Sequence, residues 1–314
     1  MIDWKAEKKP IIALAPMADM TDSAFCRIAK RCGCRIVFRE MVSAEALVRE
    51  SEKTLRMADF REEERPIVQQ VFGSDPAIMA EAVRQLDERF APDAFDINMG
   101  CPATKIIGGF NGAALMLEPQ RAAEIVRSVK SVTGREVSVK TRLGWSDPTE
   151  ILEFAKVIED AGADLISIHG RTKKQGYAGT ADWEMIGRAR KTVSIPMLAN
   201  GDVFGPDDAV RALQVTGCDG LLVARGSLGN PWIFSRIEAM LAGNGSAGPS
   251  EDEKTATVLE HARLHAELYG GEKPLVTFRK HLAWYFRGTP GAKALRERLM
   301  QVETLSDLER CLRA

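Results

Sequence analysis

The chain has 314 residues, of which 45% are hydrophobic and 28% charged, and its formal net charge is −1. A balance this close to neutral argues against a protein that coats nucleic acid through bulk charge, although it permits a local basic face. The length accommodates one (β/α)8 barrel of about 250 residues together with a small second domain.

The N-terminal segment lacks the layout of a signal peptide, and no apolar run approaches the roughly 20 residues needed to span a bilayer. The six cysteines form no C-x-x-C pair, and no histidine stands at zinc-finger spacing from them. We therefore expect a cytoplasmic protein with reduced thiols, without a membrane partner or a metal centre. We also expect a monomer.

Eight short apolar runs recur along the chain, and each is followed by a helical pattern. The runs cover residues 11–16, 36–39, 66–72, 94–98, 136–140, 164–169, 195–199 and 219–224. They are continuously apolar, as is typical of strands buried on both faces, and Pro76, Pro119 and Pro206 open three of the helices. Strands alternating with helices indicate a parallel sheet, and eight such units favour a closed barrel. The predicted fold class is therefore α/β, a (β/α)8 TIM barrel.

The character of the sequence changes after Leu241. Residues 242–250 are rich in Gly, Ser and Pro, which predicts a linker. Amphipathic helical patterns follow from residue 251 onward with no strand signal. The predicted organisation is a barrel domain at 1–241, a linker at 242–250 and a small all-helical domain at 251–314.

Basic side chains outnumber acidic ones from Leu275 onward. Arg279 and Lys280 stand near Trp284 and Tyr285 in helical spacing, and such a combination can neutralise phosphates and stack on unpaired bases. An ordinary amphipathic helix is the alternative, and for Trp284 itself we favour a core position. Arg279 and Lys280 are the candidates for contact with RNA.

The active site of a barrel of this kind lies at the carboxyl ends of its strands. The seventh and eighth predicted strands end in Asn200-Gly201-Asp202 and Ala224-Arg225-Gly226. Glycines there let backbone N–H groups approach an anion, and helix N-termini favour negative charge. A phosphorylated cofactor would explain these loops, and a pair of tight turns is the alternative.

Two polar side chains on the strands favour a flavin. Lys140 ends the fifth predicted strand, where a buried lysine needs a compensating partner. The N1–C2=O edge of a flavin would supply one, and a barrel carboxylate is the alternative. Gln70 offers a donor and an acceptor that suit the pyrimidine edge of a flavin, but it could equally be a satisfied polar group of the core.

The candidate catalytic residue is Cys101, which stands in a loop rather than on an apolar helix face. A thiol in this place can act as a general acid. A nucleophilic role lacks an adjacent histidine base, and a metal role lacks ligands. Arg142, His169 and Arg171 follow neighbouring strands and suit phosphate or base recognition, with a solvated rim as the alternative.

Longer strings around these residues resemble a known family. The strings are Ala15-Pro16-Met17-Ala18, Gln70-Val71-Phe72-Gly73, Asp96-Ile97-Asn98-Met99-Gly100-Cys101-Pro102, Val139-Lys140-Thr141-Arg142, His169-Gly170-Arg171-Thr172, Ala199-Asn200-Gly201-Asp202 and Arg279-Lys280-His281-Leu282-Ala283-Trp284-Tyr285. In combination they make the chain similar, over nearly its whole length, to bacterial tRNA-dihydrouridine synthases, and most of all to the B-type branch.

The resemblance implies a flavoenzyme that holds FMN tightly in the barrel domain and uses NADPH to reduce uridine to 5,6-dihydrouridine in tRNA. Hydride would pass from N5 of the reduced flavin to C6 of the uracil, and Cys101 would protonate C5. Asn98 would help to position the uracil, and the helical domain would grip the tRNA. Cofactor contacts would come from Pro16, Met17, Ala18, Gln70, Lys140, His169, Asn200, Gly201, Asp202, Ala224 and Arg225.

Other functions stay open beside this one. A flavin barrel acting on a small pyrimidine would share the phosphate loops and the lysine, but would not need a basic helical tail. An RNA-binding protein that keeps FMN only for structure would tolerate replacement of Cys101. Ribosomal RNA could also be the substrate of the same chemistry.

Overall fold

A computed structural model of the chain describes residues 1–245, 247–287 and 292–313, without the side chains of Ala292 and Lys293. The predicted linker includes Ser246, and the predicted helical domain includes residues 288–291 and Ala314, so these positions lie outside the described residues. The boundaries of the two domains stay a prediction.

Parallel strands form one closed sheet in the described residues. They are β1 Ile11–Leu14, β2 Ile36–Phe38, β3 Val42–Ser43, β4 Ile67–Phe72, β5 Ala94–Met99, β6 Glu136–Arg142, β7 Leu165–His169, β8 Met197–Asn200 and β9 Gly220–Val223. The pairing order is β2-β1-β9-β8-β7-β6-β5-β4-β3, and β2 also pairs with β4, which closes the ring. The eight predicted strands and the TIM barrel are thus confirmed, whereas β3 is an additional short strand along the end of β4.

The helices alternate with these strands and then continue alone. They are α1 Ser23–Arg31, α2 Ala44–Val48, α3 Glu52–Ala58, α4 Pro76–Phe90, α5 Thr104–Ile107, α6 Pro119–Lys130, α7 Glu150–Asp160, α8 Trp183–Arg190, α9 Pro206–Thr216, α10 Ile233–Leu241, α11 Glu251–Tyr269, α12 Arg279–Tyr285, α13 Ala292–Leu299 and α14 Leu305–Arg313. The three prolines do open helices as predicted, and Asp75 caps α4 by accepting the N–H groups of Ala77 and Ile78.

Apolar side chains fill the inside of the barrel and the layer between its strands and outer helices. The N-terminal segment belongs to the inner cluster, because Trp4 is fully buried and stacks on Phe38 with ring centroids 6.0 Å apart. Ile2 N–H donates to the carbonyl of Asp93, just before β5 begins. The amino end of the barrel is therefore covered, and the opposite, carboxyl end carries the large cavity described below.

The last four helices enclose a separate apolar cluster that includes Val258, Phe278 and Leu308. They meet the barrel where α11 packs along α1. At this junction Asp22 caps α1 by accepting Phe25 N–H, and it also accepts the hydroxyl proton of Tyr269 at 3.0 Å. The helical segment is thus attached to the barrel through buried polar groups as well as apolar contacts.

Candidate active site

A cavity of about 370 Å³ opens at the carboxyl ends of the strands, which is the size of a typical small-molecule site. Nearly all of the predicted site residues in the barrel line it. They are Pro16, Met17, Ala18, Gln70, Asn98, Cys101, Lys140, Arg142, His169, Asn200, Gly201, Asp202, Ala224 and Arg225. The residues that the sequence placed at strand ends therefore come from seven strands and line one cavity.

The floor of the cavity contains a chain of hydrogen bonds between strands β4 and β5. Asp96 is fully buried, and its carboxylate accepts Ser138 Oγ–H and Gln70 Nε2–H, each at 2.6 Å. Gln70 Oε1 in turn accepts Asn98 Nδ2–H at 2.9 Å. Asn98 Oδ1 then accepts the backbone N–H of Cys101, also at 2.9 Å. The side-chain amides of Gln70 and Asn98, which were predicted to face ligands, are thus fixed by hydrogen bonds within the protein.

Cys101 is only partly buried and lies on the cavity wall. Its loop folds back on itself, because Ala113 N–H donates to the Cys101 carbonyl at 3.1 Å. Gly112, with φ +61, makes this approach possible, since a Cβ there would lie 2.8 Å from the Cys101 carbonyl oxygen. The thiol is therefore held on a loop anchored at both ends.

Lys140 reaches the cavity from β6. Burial and, to a smaller extent, the neighbouring Arg142 together lower the pKa of Lys140 to about 8, while Asp96 acts in the opposite direction. The Asp96 carboxylate is already occupied by Gln70 and Ser138. An anionic group in the cavity would therefore stabilise the charged form of this lysine.

Arg171 is buried behind the cavity wall and forms an ion pair with Asp202, which lines the cavity. Arg171 donates to both carboxylate oxygens, at 3.0 and 2.6 Å, and to the carbonyls of Ala178 and Gly179. Arg225 adds a second ion pair to Asp202 at 3.3 Å. Arg171 thus holds Asp202, which in turn pairs with Arg225, at the ends of β8 and β9. Its predicted contact with substrate stays a prediction.

The guanidinium of Arg142 is largely occupied within the protein. It donates to the carbonyls of Gly100, Thr172 and Gly176 at 2.8 to 3.1 Å, and its side chain is 2% exposed. Arg142 therefore ties together the loops that follow β5, β6 and β7. It still lines the cavity, where it adds positive charge.

His169 is neutral in this setting. Burial and, after it, the nearby cations Lys140 and Arg142 together lower its pKa to about 2. Its imidazole can therefore accept or donate a hydrogen bond but carries no charge at neutral pH.

Two aromatic side chains extend the cavity wall. Tyr177, in the loop after β7, lies under the Arg225 guanidinium with 4.7 Å to the ring centroid. Trp284 of α12 lines the cavity from the helical segment, although the sequence favoured a core position for it. It is half-buried and also packs on the barrel core, so it serves in both places. Tyr177 was missed because it lies eight residues beyond the strand end.

The predicted RNA contacts Arg279 and Lys280 lie outside the cavity, on α12. Arg279 donates to the Val302 carbonyl at 2.9 Å and forms an ion pair with Glu303 at 3.8 Å. Both side chains are partly exposed. Arg279 therefore has a structural role within the helical segment, and the RNA contact of both residues stays a prediction.

The residues present fit a phosphorylated flavin. Lys140, Arg142 and Arg225 give the cavity wall an excess of positive charge over Asp202, which suits a phosphate. The backbone of the last two loops packs closely, since a Cβ on Gly226 would lie 2.0 Å from the Val203 carbonyl oxygen. Gln70 keeps one N–H free to meet a polar ring edge, because a primary amide has two.

Fold and cavity together define a (β/α)8-barrel protein with a ligand site at the carboxyl ends of its strands. Residues 13–314 match the family model described as "Dihydrouridine synthase (Dus)". The chain belongs to the dihydrouridine synthase family, and the resemblance inferred from its motifs is confirmed.

Relatives in this family match over most of their length. A probable tRNA-dihydrouridine synthase of Rickettsia conorii is 38% identical, covering 91% of this chain and 87% of the relative. The probable tRNA-dihydrouridine synthase 1 of a Synechocystis strain is 39% identical, with 93% and 82% covered. The tRNA-dihydrouridine synthase B of Pseudomonas putida is 38% identical, with 93% and 87% covered.

Solved structures support the barrel assignment. A 2-naphthoyl-CoA reductase complex superposes with a TM-score of 0.58 at 14% identity, covering 77% of this chain and 51% of that one. A histamine dehydrogenase from Rhizobium sp. 4-9 gives the same TM-score and identity, with 81% and 49% covered. At this identity the likeness concerns the fold alone. No helix in the described ranges combines the length and apolarity of a membrane span.

Proposed function

We propose that this protein binds FMN and reduces uridine to 5,6-dihydrouridine in tRNA, with NADPH as the reductant. The observation that carries the proposal is the joint placement of Cys101, Asn98 and Lys140 in one cavity of a dihydrouridine synthase family member. The tRNA substrate follows from the names of the relatives.

The cavity divides into two parts for this cofactor. Gln70 and Lys140 would hold the polar edge of the flavin ring, where the lysine would meet an anionic partner. Arg225, Asn200 and Gly201 would hold the phosphate, with Arg171 and Asp202 fixing Arg225 in place. FMN, once reduced by NADPH, would supply the hydride that C6 of the uracil receives.

Cys101 would supply the proton that C5 of the uracil needs for the reaction to balance. Its loop is anchored through Asn98 and Gly112, so the thiol can be held near a bound base. Asn98 Nδ2 donates to Gln70 Oε1 at 2.9 Å and to Met41 Sδ at 3.3 Å. A thioether sulfur is a weak acceptor, so a uracil carbonyl would replace Met41 as the stronger partner of that N–H. A thiol in this place acts as a general acid.

A base in folded RNA can reach this cavity only after leaving its stack, which costs a few kcal/mol. Trp284 and the largely exposed Tyr177 are aromatic groups at the cavity on which an unstacked base or sugar edge could rest. Arg287 lies over the Trp284 ring, 5.1 Å from its centroid, and adds positive charge at this edge. The helical segment would thus contribute directly to the substrate side.

The test is mass spectrometry of nucleosides from unmodified tRNA incubated with the protein, FMN and NADPH. We expect a gain of two mass units on uridine. Cys101→Ala should keep the yellow colour of bound flavin and lose the product by at least about a hundredfold, as for loss of a general acid. Cys311→Ala, a partly buried thiol on α14, is the matched control and should keep the activity.

Three outcomes would count against the proposal. Full product formation by Cys101→Ala would remove the thiol from the reaction. NADPH oxidation without any mass gain on tRNA would indicate another RNA or a free pyrimidine as substrate. Failure of the wild-type protein to retain FMN would contradict the cofactor assignment.

A further inference from the structure

The chain of hydrogen bonds beneath the cavity begins at a residue that does not line it. Asp96 lies on β5 with 0% exposure, and neither of its carboxylate oxygens reaches the cavity wall. It contacts the cavity through Gln70, and through Gln70 it connects to Asn98 and the Cys101 backbone. No role in ligand binding follows from its position alone.

The Asp96 carboxylate determines which atoms donate and which accept in the hydrogen bonds from Gln70 to Asn98 and Cys101. In the folded protein both oxygens of this carboxyl group accept hydrogen bonds, so Gln70 turns its NH2 group toward Asp96. Gln70 Oε1 is then left to accept from Asn98 Nδ2, and Asn98 Oδ1 is left to accept from Cys101 N–H. The two ends of an amide have nearly the same shape, so packing alone would not select one orientation over its reverse.

We propose that Asp96 is a positioning residue whose carboxylate sets the polarity of this chain. It thereby fixes the donor and acceptor pattern that Gln70 presents to the flavin, and it holds the backbone of Cys101 through Asn98. The part that concerns Gln70 and the flavin rests on the proposed function. The part that concerns the Cys101 backbone is independent of any cofactor. Burial raises the pKa of Asp96 overall, to about 7, whereas the hydrogen bonds from Ser138 and Gln70 and the charge of Lys140 favour the ionised form.

Asp96→Asn keeps the shape but turns one of the two accepting oxygens into a donor, and Ser167→Ala is the matched control. Ser167 is equally buried on β7, which β6 separates from β5, and its hydroxyl has no hydrogen-bond partner among the described residues. Two readouts apply: the FMN dissociation constant from flavin fluorescence, and the alkylation rate of Cys101 by iodoacetamide in FMN-free protein, mapped by peptide mass spectrometry. We expect Asp96→Asn to weaken FMN binding at least about fivefold and to accelerate alkylation several-fold, since a mispaired buried group is costly. Ser167→Ala should change neither.

The double variant Gln70→Glu with Asp96→Asn separates the effect on FMN binding from the effect on Cys101. The asparagine can then donate to the new carboxylate, whose other oxygen still accepts from Asn98. Alkylation of Cys101 should therefore return to the wild-type rate. FMN binding should stay weak, because the group facing the flavin can no longer donate.

The proposal is overturned if Asp96→Asn folds, by circular dichroism, with both readouts within twofold of wild type. If that single variant does not fold, the double variant decides. A folded double variant with wild-type alkylation supports the polarity argument, and one with accelerated alkylation or no fold overturns it. If the wild-type protein binds no FMN, the proposed function fails while the alkylation comparison still tests the chain.

Discussion

Replacing Gly229 by alanine should loosen the attachment of the helical segment to the barrel. Gly229 follows β9 and has φ +67, a conformation that L-residues rarely adopt. A Cβ there would lie 2.3 Å from the carbonyl carbon of Trp284 and 2.5 Å from Tyr285 N, both in the backbone of α12. Backbone atoms cannot rotate away, so the helix itself would have to move.

Two contributions set the size of the effect. The left-handed conformation costs an alanine about 1–2 kcal/mol. Forcing an extra methyl group into a packed contact costs about 1–3 kcal/mol more. We therefore expect the free energy of unfolding to fall by about 2–5 kcal/mol in total. Because Trp284 lines the cavity, FMN-dependent tRNA reduction should fall as well.

The assay is guanidinium chloride unfolding followed by tryptophan fluorescence and circular dichroism. Gly217→Ala is the control, because Gly217 has φ +60 and nothing within 4 Å of the Cβ it would gain. That variant should lose only the conformational part, about 1–2 kcal/mol. If Gly229→Ala were no more destabilising than Gly217→Ala, the close approach to α12 would not hold the two parts together.

Lys140→Met should raise the free energy of unfolding of the FMN-free protein by about 1 kcal/mol or more, because burial disfavours the lysine charge. This advantage is full below pH 8 and should disappear as the pH rises from about 8 toward 10.5, where the folded lysine is already neutral. The same variant should lose FMN on dialysis, and undiminished FMN retention would contradict the flavin assignment of Lys140. Lys280→Ala should weaken tRNA binding, measured by fluorescence anisotropy across KCl concentrations, and reduce the salt slope by about 1. An unchanged slope would place Lys280 away from the RNA. Arg279→Ala should weaken tRNA binding and also lower the free energy of unfolding, because Arg279 bonds to Val302 and Glu303.

The strands could be predicted because burial on both faces makes each of them continuously apolar. The strand Val42–Ser43 could not be predicted, because two residues are too few to show a hydrophobic periodicity. Most of the cavity wall followed from the rule that barrel sites lie at the carboxyl ends of strands. That rule places residues at one face without fixing where their side chains point.

The roles of individual side chains depended on loops that no pattern encodes. Arg142 and Arg171 stand at strand ends, yet the loop 172–180 supplies carbonyls that occupy much of each guanidinium. Trp284 reaches the cavity only because α12 docks against the barrel. Asp96 lies within an apolar strand pattern, so only its contacts in the folded structure reveal which side chains it holds.

The junction at Asp22 has a consequence for exchanging parts between relatives. Asp22 follows directly on the loop of Met17 and Ala18 that lines the cavity, and it accepts from Tyr269 of the helical segment. Burial raises the pKa of Asp22, but His265, whose Nδ1 lies 3.7 Å from the carboxylate, and the N–H of Phe25 lower it overall. A helical segment grafted from another relative would therefore have to bring matching partners for this one carboxylate. A chimera without them would leave this buried carboxylate without partners beside the cavity loop.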